Sequence, residues 1–115
     1  MRMWGVDPTL LCRNHLLGEH CELHMLVGNL TRKRSIYGYV KTGLVDPSEI
    51  VNRHEEIAEE MLRREYNHKS PLPKEFIHRS IRYKKYPLNI DENLIELSRR
   101  CEKCRDRIAR IKETL

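Results

Sequence analysis

Residues 7–30, DPTLLCRNHLLGEHCELHMLVGNL, form the stretch that decides the fold. Asp7 is a suitable helix N-cap and Pro8 a suitable first helical residue, so we expect a helix from here to about Leu26 or Leu30. A helix that is apolar on nearly every side is normally the buried, central one. The apolar side chains of this stretch form two flanks, Leu10, Leu17, Cys21 and Met25 on one, and Leu16, Leu23, Val27 and Leu30 on the other.

A row of polar residues interrupts the apolar surface of this helix. His15, Glu19 and Glu22 fall within an arc of about 60° when each residue advances the helix by 100°. Carboxylates on a buried helix are costly unless they are paired with positive charge or take part in chemistry. The row therefore indicates a functional site, and the alternative is that it simply faces solvent.

Two further helices are expected. Asp46-Pro47-Ser48-Glu49 supplies a cap, a proline at the first helical position and an acid three residues after the cap, and predicts a helix that ends near Asn67. A third helix begins near Asp91. It carries a two-heptad apolar stripe made of Leu94, Leu97, Cys101, Cys104, Ile108 and Ile111.

The segments between these helices are irregular. The prolines of residues 68–90 exclude a long helix there, although a short one over 74–82 is compatible with them. No strand is predicted. The fold class is therefore all-α, a compact single domain over residues 1–115 with three main helices and irregular basic loops.

Positive charge is concentrated in these loops. The chain has 22 Lys and Arg against 17 Asp and Glu, a formal net charge of +5. Residues 31–45 hold four basic side chains and no acid, and residues 68–90 hold six basic side chains and one acid, whereas residues 46–67 hold seven acids. This separation favours a basic face that binds a polyanion such as nucleic acid, the alternative being an unevenly charged solvated surface.

The residues expected to contact DNA come from both basic loops. Over residues 74–86, KEFIHRSIRYKKY, basic and aromatic side chains alternate, and such side chains contact phosphates and stack on unpaired bases respectively. The alternative is a loop whose aromatic side chains anchor it to the core. The candidate DNA-binding residues are Arg32, Lys33, Arg34, Lys74, Arg79, Arg82, Tyr83, Lys84 and Lys85.

The chain shows neither a signal peptide nor an apolar run long enough to span a membrane. A cytoplasmic monomer with reduced cysteines is expected. Because Cys101 and Cys104 lie in the apolar stripe, packed thiols are favoured over metal ligands. The alternative is a zinc site made of Cys12, Cys21, Cys101 and Cys104.

His20 and His24 are four residues apart, but the zinc-protease motif requires a glutamate directly after the first histidine. Metal-dependent hydrolysis is therefore not favoured, and no metal or other cofactor is expected.

Three segments resemble a known family. His15–Leu23 (HLLGEHCEL) resembles the first-helix motif of the pyrimidine-dimer DNA glycosylases, Arg53–Asn67 (RHEEIAEEMLRREYN) resembles their next helix, and Pro73–Phe76 (PKEF) matches a short motif that follows. The resemblance covers most of residues 1–76 and fades in the third helix. It implies a compact helical DNA repair enzyme that releases a damaged base and nicks the strand.

The resemblance also implies roles for particular residues. The α-amine of Met1 corresponds to the nucleophile that attacks the sugar C1′, and Glu22 corresponds to the catalytic glutamate. Arg2, His15 and Glu19 correspond to supporting residues of the active site. The implied partner is double-stranded DNA that contains damaged bases or abasic sites.

Two departures bear on the substrate. Cys21 and Met25 stand where the phage-type enzyme has arginines that contact DNA, and the aromatic, basic C-terminal tail of that type is missing. Two alternatives therefore stay open, namely a lyase that acts only on abasic sites and a helical DNA-binding protein without catalytic activity.

Overall fold

The structure is a computed structural model that describes the backbone of residues 1–114 and the side chains of residues 1–111. All regular secondary structure in residues 1–114 is helical, which confirms the all-α fold class. Two short 3-10 helices span Pro8–Leu10 and Pro47–Glu49. The α-helices are α1 (Arg13–Thr31), α2 (Tyr37–Lys41), α3 (Ile50–Arg63), α4 (Lys74–Ser80), α5 (Ile90–Arg100) and α6 (Glu102–Thr114).

Helix α1 is the central helix, as predicted. Leu16, Leu23 and Leu26 are completely buried, and α1 packs against α3. The prediction that both flanks are buried is wrong for Cys21 and Met25, which are exposed. The flank on which they lie is covered only toward its N-terminal end.

The first helix begins later than predicted. The Asp7 carboxylate accepts the backbone N–H of Thr9, but it caps the separate 3-10 helix rather than α1. Leu11 then adopts an extended conformation, and Cys12 becomes the N-cap of α1. An Asp cap followed by proline can begin either a 3-10 helix or an α-helix. The pattern therefore predicted helical structure at Pro8 correctly, but the start of α1 incorrectly.

The second and third helices also differ from their predicted bounds. Asp46 caps a 3-10 turn that leads into α3, and α3 ends at Arg63 rather than near Asn67 because Glu65 has a positive φ of 63°. The predicted third helix is two helices, because Cys101 is extended and separates α5 from α6. Apolar spacing continues across this break, which is why the sequence pattern did not show it.

The loops contain two short helices. Helix α4 confirms the short helix considered over residues 74–82, whereas α2 lies in the stretch predicted to be irregular. None of the described helices is both long and apolar enough to cross a membrane.

The N-terminal segment, residues 1–6, is tied to three parts of the protein. The Met3 N–H donates to the carbonyl oxygen of Leu44 at 2.8 Å, and the Asn93 amide on α5 donates to the Trp4 carbonyl at 2.8 Å. The Arg53 guanidinium donates to the Val6 carbonyl at 2.6 Å. These bonds hold the start of the chain over α1.

Candidate active site

A cavity of about 410 Å³ lies between the N-terminal segment and α1. A pocket of this size is in the range that holds small ligands. The polar row of α1 and the first residues of the chain meet here. The residues that line it include Met1, Arg2, Trp4, His15, Glu22 and Arg100.

Glu22 binds the first peptide unit of the chain. The backbone N–H of Arg2 donates to Glu22 Oε2 at 3.0 Å. Met1 lines the same cavity, so the chain start and the carboxylate are neighbours. The arrangement puts an acidic group, able to accept a proton or stabilise positive charge, next to the N-terminal residue.

The Arg2 guanidinium lies over the Trp4 ring, with its carbon 4.5 Å from the ring centroid. Its Nη1 atom is buried and has no hydrogen-bond partner among the described residues. Buried donors are normally paired, so an unpaired guanidinium nitrogen at a cavity wall is suited to an anionic ligand such as a phosphate.

His15 packs edge-on against Trp4, with ring centroids 5.9 Å apart. Its Nδ1 atom is 3.3 Å from Cys12 Sγ. Burial lowers the pKa of His15, and the positive charge of Arg100 lowers it further, while Glu22 opposes the change.

Glu19 lies beneath the cavity and is 2% exposed, so the alternative that the row faces solvent is wrong for this residue. Both of its carboxylate oxygens accept hydrogen bonds from the Arg53 guanidinium of α3, at 2.6 and 3.0 Å. Burial raises the pKa of Glu19, and the contact with Arg53 opposes that increase. The ion pair with Arg53 holds Glu19 in place and so stabilises this wall of the cavity.

A family model described as pyrimidine dimer DNA glycosylase matches residues 1–74. The chain belongs to this family. The match contains the N-terminal segment, α1 and α3. It therefore includes Met1, Glu22 and the buried pair of Glu19 with Arg53. No curated protein and no solved structure matches the chain significantly.

Membership makes the chain a DNA repair glycosylase with DNA as its substrate. The residues predicted to contact that DNA fall into two groups. Arg32, Lys33 and Arg34 are exposed, as are Lys74, Arg82 and Lys84. The remaining three also contact the protein: Arg79 and Lys85 are exposed, but Arg79 donates to the Leu30 carbonyl and Lys85 is 3.3 Å from Glu49. Tyr83 is half-buried against Phe76.

Three residues of this candidate site were not predicted from the sequence. Trp4 and Arg100 line the cavity, and Arg53 neutralises Glu19. The sequence did contain a signal for Arg53, because a carboxylate on a buried helix, here Glu19, requires a positively charged partner. Arg100 lies outside the family match, and its approach to Trp4 depends on how α5 packs.

Proposed function

We propose that this chain is a DNA glycosylase with abasic-site lyase activity that acts on pyrimidine dimers or related base damage. The α-amine of Met1 is the nucleophile, and Glu22 is the catalytic carboxylate. The observation that carries the proposal is the 3.0 Å hydrogen bond from the Arg2 N–H to Glu22 Oε2, together with the position of Met1 in the same cavity.

The chemistry of an α-amine supports this choice of nucleophile. Its ordinary pKa of about 7.7–8.0 leaves a useful fraction unprotonated near neutral pH, whereas a lysine amine has an ordinary pKa of about 10.4. The proposal requires Met1 to be the first residue of the mature protein. Arg2 favours its retention, because enzymes that remove the initiator methionine generally require a small second residue.

The reaction proceeds through an imine. The Met1 nitrogen forms a bond to the sugar C1′ while the bond from C1′ to the base breaks, and the base leaves with a proton. The proton that the base carries away comes from the nitrogen. The bond from C1′ to the ring oxygen then breaks, that oxygen takes a proton from solvent, and the nitrogen keeps one hydrogen in the resulting protonated imine. Glu22 stabilises the positive charge that develops on the sugar and the imine.

Strand nicking follows from the imine. The Glu22 carboxylate accepts a proton from C2′, and the bond between C3′ and the 3′ phosphate oxygen breaks. Water then hydrolyses the imine and restores the free amine. The unpaired Nη1 of Arg2 supports a role in holding a phosphate of the damaged strand.

The proposal is tested by borohydride trapping on two DNA substrates, one with a single abasic site and one irradiated with ultraviolet light. Covalent adducts with both substrates are expected. An adduct with abasic DNA alone would favour the abasic-site lyase alternative. Binding without any adduct or nick would favour a DNA-binding protein without catalytic activity.

A further inference from the structure

Four metal-binding atoms converge where the N-terminus of α1 meets the break between α5 and α6. They belong to Cys12, His15, Cys101 and Cys104, and all lie within 4.8 Å of one another. Cys12 Sγ is 3.3 Å from His15 Nδ1 and 3.9 Å from Cys101 Sγ. Tetrahedral Zn²⁺ at ordinary bond lengths separates its sulfur and nitrogen ligands by about 3.6–3.8 Å, and the two observed distances bracket this range.

Backbone N–H groups donate to two of the sulfur atoms in the cluster. The Cys12 N–H donates to Cys104 Sγ at 3.3 Å, and the Cys104 N–H donates to Cys101 Sγ at 3.4 Å. Cys12 is the N-cap of α1 and Cys101 directly precedes α6, so the positive ends of two long helices face the sulfurs. These features suit thiolate ligands, which are the form that binds zinc.

We propose that Cys12, His15, Cys101 and Cys104 bind one structural Zn²⁺ ion through three Sγ atoms and His15 Nδ1. Each cysteine releases its proton to solvent when the ion binds. Three thiolates and one imidazole complete the four positions of a structural site, so the ion takes no part in the repair chemistry.

The site differs from what the sequence suggested. The four-thiolate alternative included Cys21, which is exposed on α1, and its place is taken by His15. The proposal also departs from the expectation that the protein holds no metal. The bound ion connects α1 to the break between α5 and α6, and this connection fixes the positions of His15 and Arg100 at the cavity.

The first test uses Co²⁺ as a spectroscopic substitute for Zn²⁺. The folded wild-type protein and the variant Cys21→Ser should both show thiolate-to-cobalt charge-transfer absorption, because Cys21 lies outside the cluster. The variant Cys101→Ser should lose about a third of that intensity or more. Absence of the absorption from the folded wild-type protein, or an unchanged intensity in Cys101→Ser, would overturn the proposal.

A second measurement needs no substitution. With Zn²⁺ bound, an alkylating reagent should modify Cys21 alone, and after treatment with a strong chelator it should also modify Cys101, the partly exposed cysteine of the cluster. Chelation should also lower the melting temperature. Equal alkylation patterns before and after chelation, with no metal released, would contradict a zinc site.

A second cluster of ring nitrogens, on another face of α1, carries an independent proposal. His20 Nε2 is 3.0 Å from His68 Nε2, and His54 Nε2 is 3.2 Å from His24 Nε2. One atom from each of His20, His54 and His68 lies within 4.8 Å of the others, and His54 is almost completely buried. Neutral imidazoles with converging lone pairs are the preferred ligands of several divalent transition metals.

The orientation of His54 supports metal binding. Its Nδ1 atom is 3.1 Å from a carboxylate oxygen of Glu55, which can accept a hydrogen bond from Nδ1–H. His54 Nε2 also lies 3.1 Å from the Ser70 carbonyl oxygen, a contact that a metal ion would replace. With the proton on Nδ1 and bonded to Glu55, the Nε2 lone pair can bind the ion, and carboxylate–histidine–metal arrangements of this kind are common. We infer that the Nε2 atoms of His20, His54 and His68 bind a second divalent transition-metal ion.

The two sites are separable by experiment. Direct titration with Co²⁺ should give two ions per chain in the wild-type protein and in His78→Gln, which changes an exposed histidine outside both clusters. The variant His68→Gln should bind one ion while keeping the full thiolate charge-transfer absorption. Equal Co²⁺ stoichiometry in folded His68→Gln and His78→Gln would overturn the histidine site without affecting the cysteine site.

Discussion

The Glu19 carboxylate and the Arg53 guanidinium form a two-point ion pair inside the protein, with Nε 2.6 Å from Oε2 and Nη2 3.0 Å from Oε1. The pair joins α1 to α3, and both side chains are at most 3% exposed. Arg53 also donates to the Val6 carbonyl, so the same guanidinium supports the N-terminal segment. Glu22, three residues further along α1, instead accepts a hydrogen bond from the Arg2 N–H. The two acids of this helix therefore differ, since Glu19 binds α3 and Glu22 binds the start of the chain.

Removal of one charge from the Glu19–Arg53 pair is expected to destabilise the protein strongly. The variant Glu19→Gln leaves the buried Arg53 charge with only the half-exposed Glu56 carboxylate, 3.6 Å away, as a counter-ion. Breaking a buried ion pair costs about 3–5 kcal/mol. The free energy of unfolding, measured by urea denaturation, should fall by that order. Glu59→Gln, which removes an exposed carboxylate from α3, is the control and should change it by less than about 0.5 kcal/mol. Similar values for the two variants would show that the ion pair does not stabilise the fold.

The variant Glu22→Gln is expected to lose activity rather than stability. The amide oxygen of glutamine can still accept the Arg2 N–H, but the side chain no longer accepts a proton or balances a cation. Loss of a catalytic proton-transfer group lowers rates by about 10²–10⁴-fold, so single-turnover nicking of abasic DNA should fall at least that much. Affinity for the same DNA should stay close to wild type. Near-normal nicking by folded Glu22→Gln would remove Glu22 from the mechanism.

Extension of the chain before Met1 is expected to abolish lyase activity. A Gly-Ser extension converts the Met1 amine into an amide, which is not nucleophilic, and it moves the new amine away from Glu22. Borohydride trapping should disappear while the melting temperature changes little. The same two residues added after Leu115 serve as the control and should leave trapping unchanged.

Peptide mapping of the trapped adduct tests the same nucleophile directly in the wild-type protein. The DNA remnant should be attached to the Met1 amine. A cross-link to a lysine such as Lys33 would instead assign the reaction to a side chain and remove the basis for the Met1 assignment.

The exposed cluster Arg32-Lys33-Arg34 is expected to contribute to the salt dependence of DNA binding. Each phosphate contact that is lost should reduce the slope of log affinity against log salt by about 0.9. A variant with all three changed to alanine should therefore have a slope shallower by about 2–3. The matched control removes the same charge from exposed positions on α6, at Lys103, Arg105 and Arg110. Equal slopes for the two variants would attribute the effect to net charge rather than to this cluster.

The sequence predicted the centre of the fold better than its edges. An all-round apolar pattern identified α1 as the central helix, because a helix that is apolar on every side must be surrounded by other elements to keep those side chains out of water. Helix ends were less predictable, since Asp7 and Asp46 cap 3-10 turns with the same residues that cap α-helices. The break at Cys101 was hidden because an extended residue kept the apolar spacing.

Long-range pairing accounts for what the sequence did not show in the site. Arg53 on α3 pairs with Glu19 on α1, which is 34 residues away along the chain. Local pairs are different, since the i,i+4 spacing of Glu60 and Arg64 is visible in the sequence and the two side chains are 2.8 Å apart. The metal-binding clusters needed α1 to meet other segments, which local patterns do not encode.

The hydrogen bonds from Asn93 to the Met3 and Trp4 carbonyls have a consequence for how this family is delimited. The recognisable family signature ends at residue 74, yet α5 holds the chain start over Glu22. A protein cut at that boundary would keep Met1 and Glu22 but lose the Asn93 hydrogen bonds that hold the chain start in place. Residues outside the family match therefore help to set the geometry of the candidate active site.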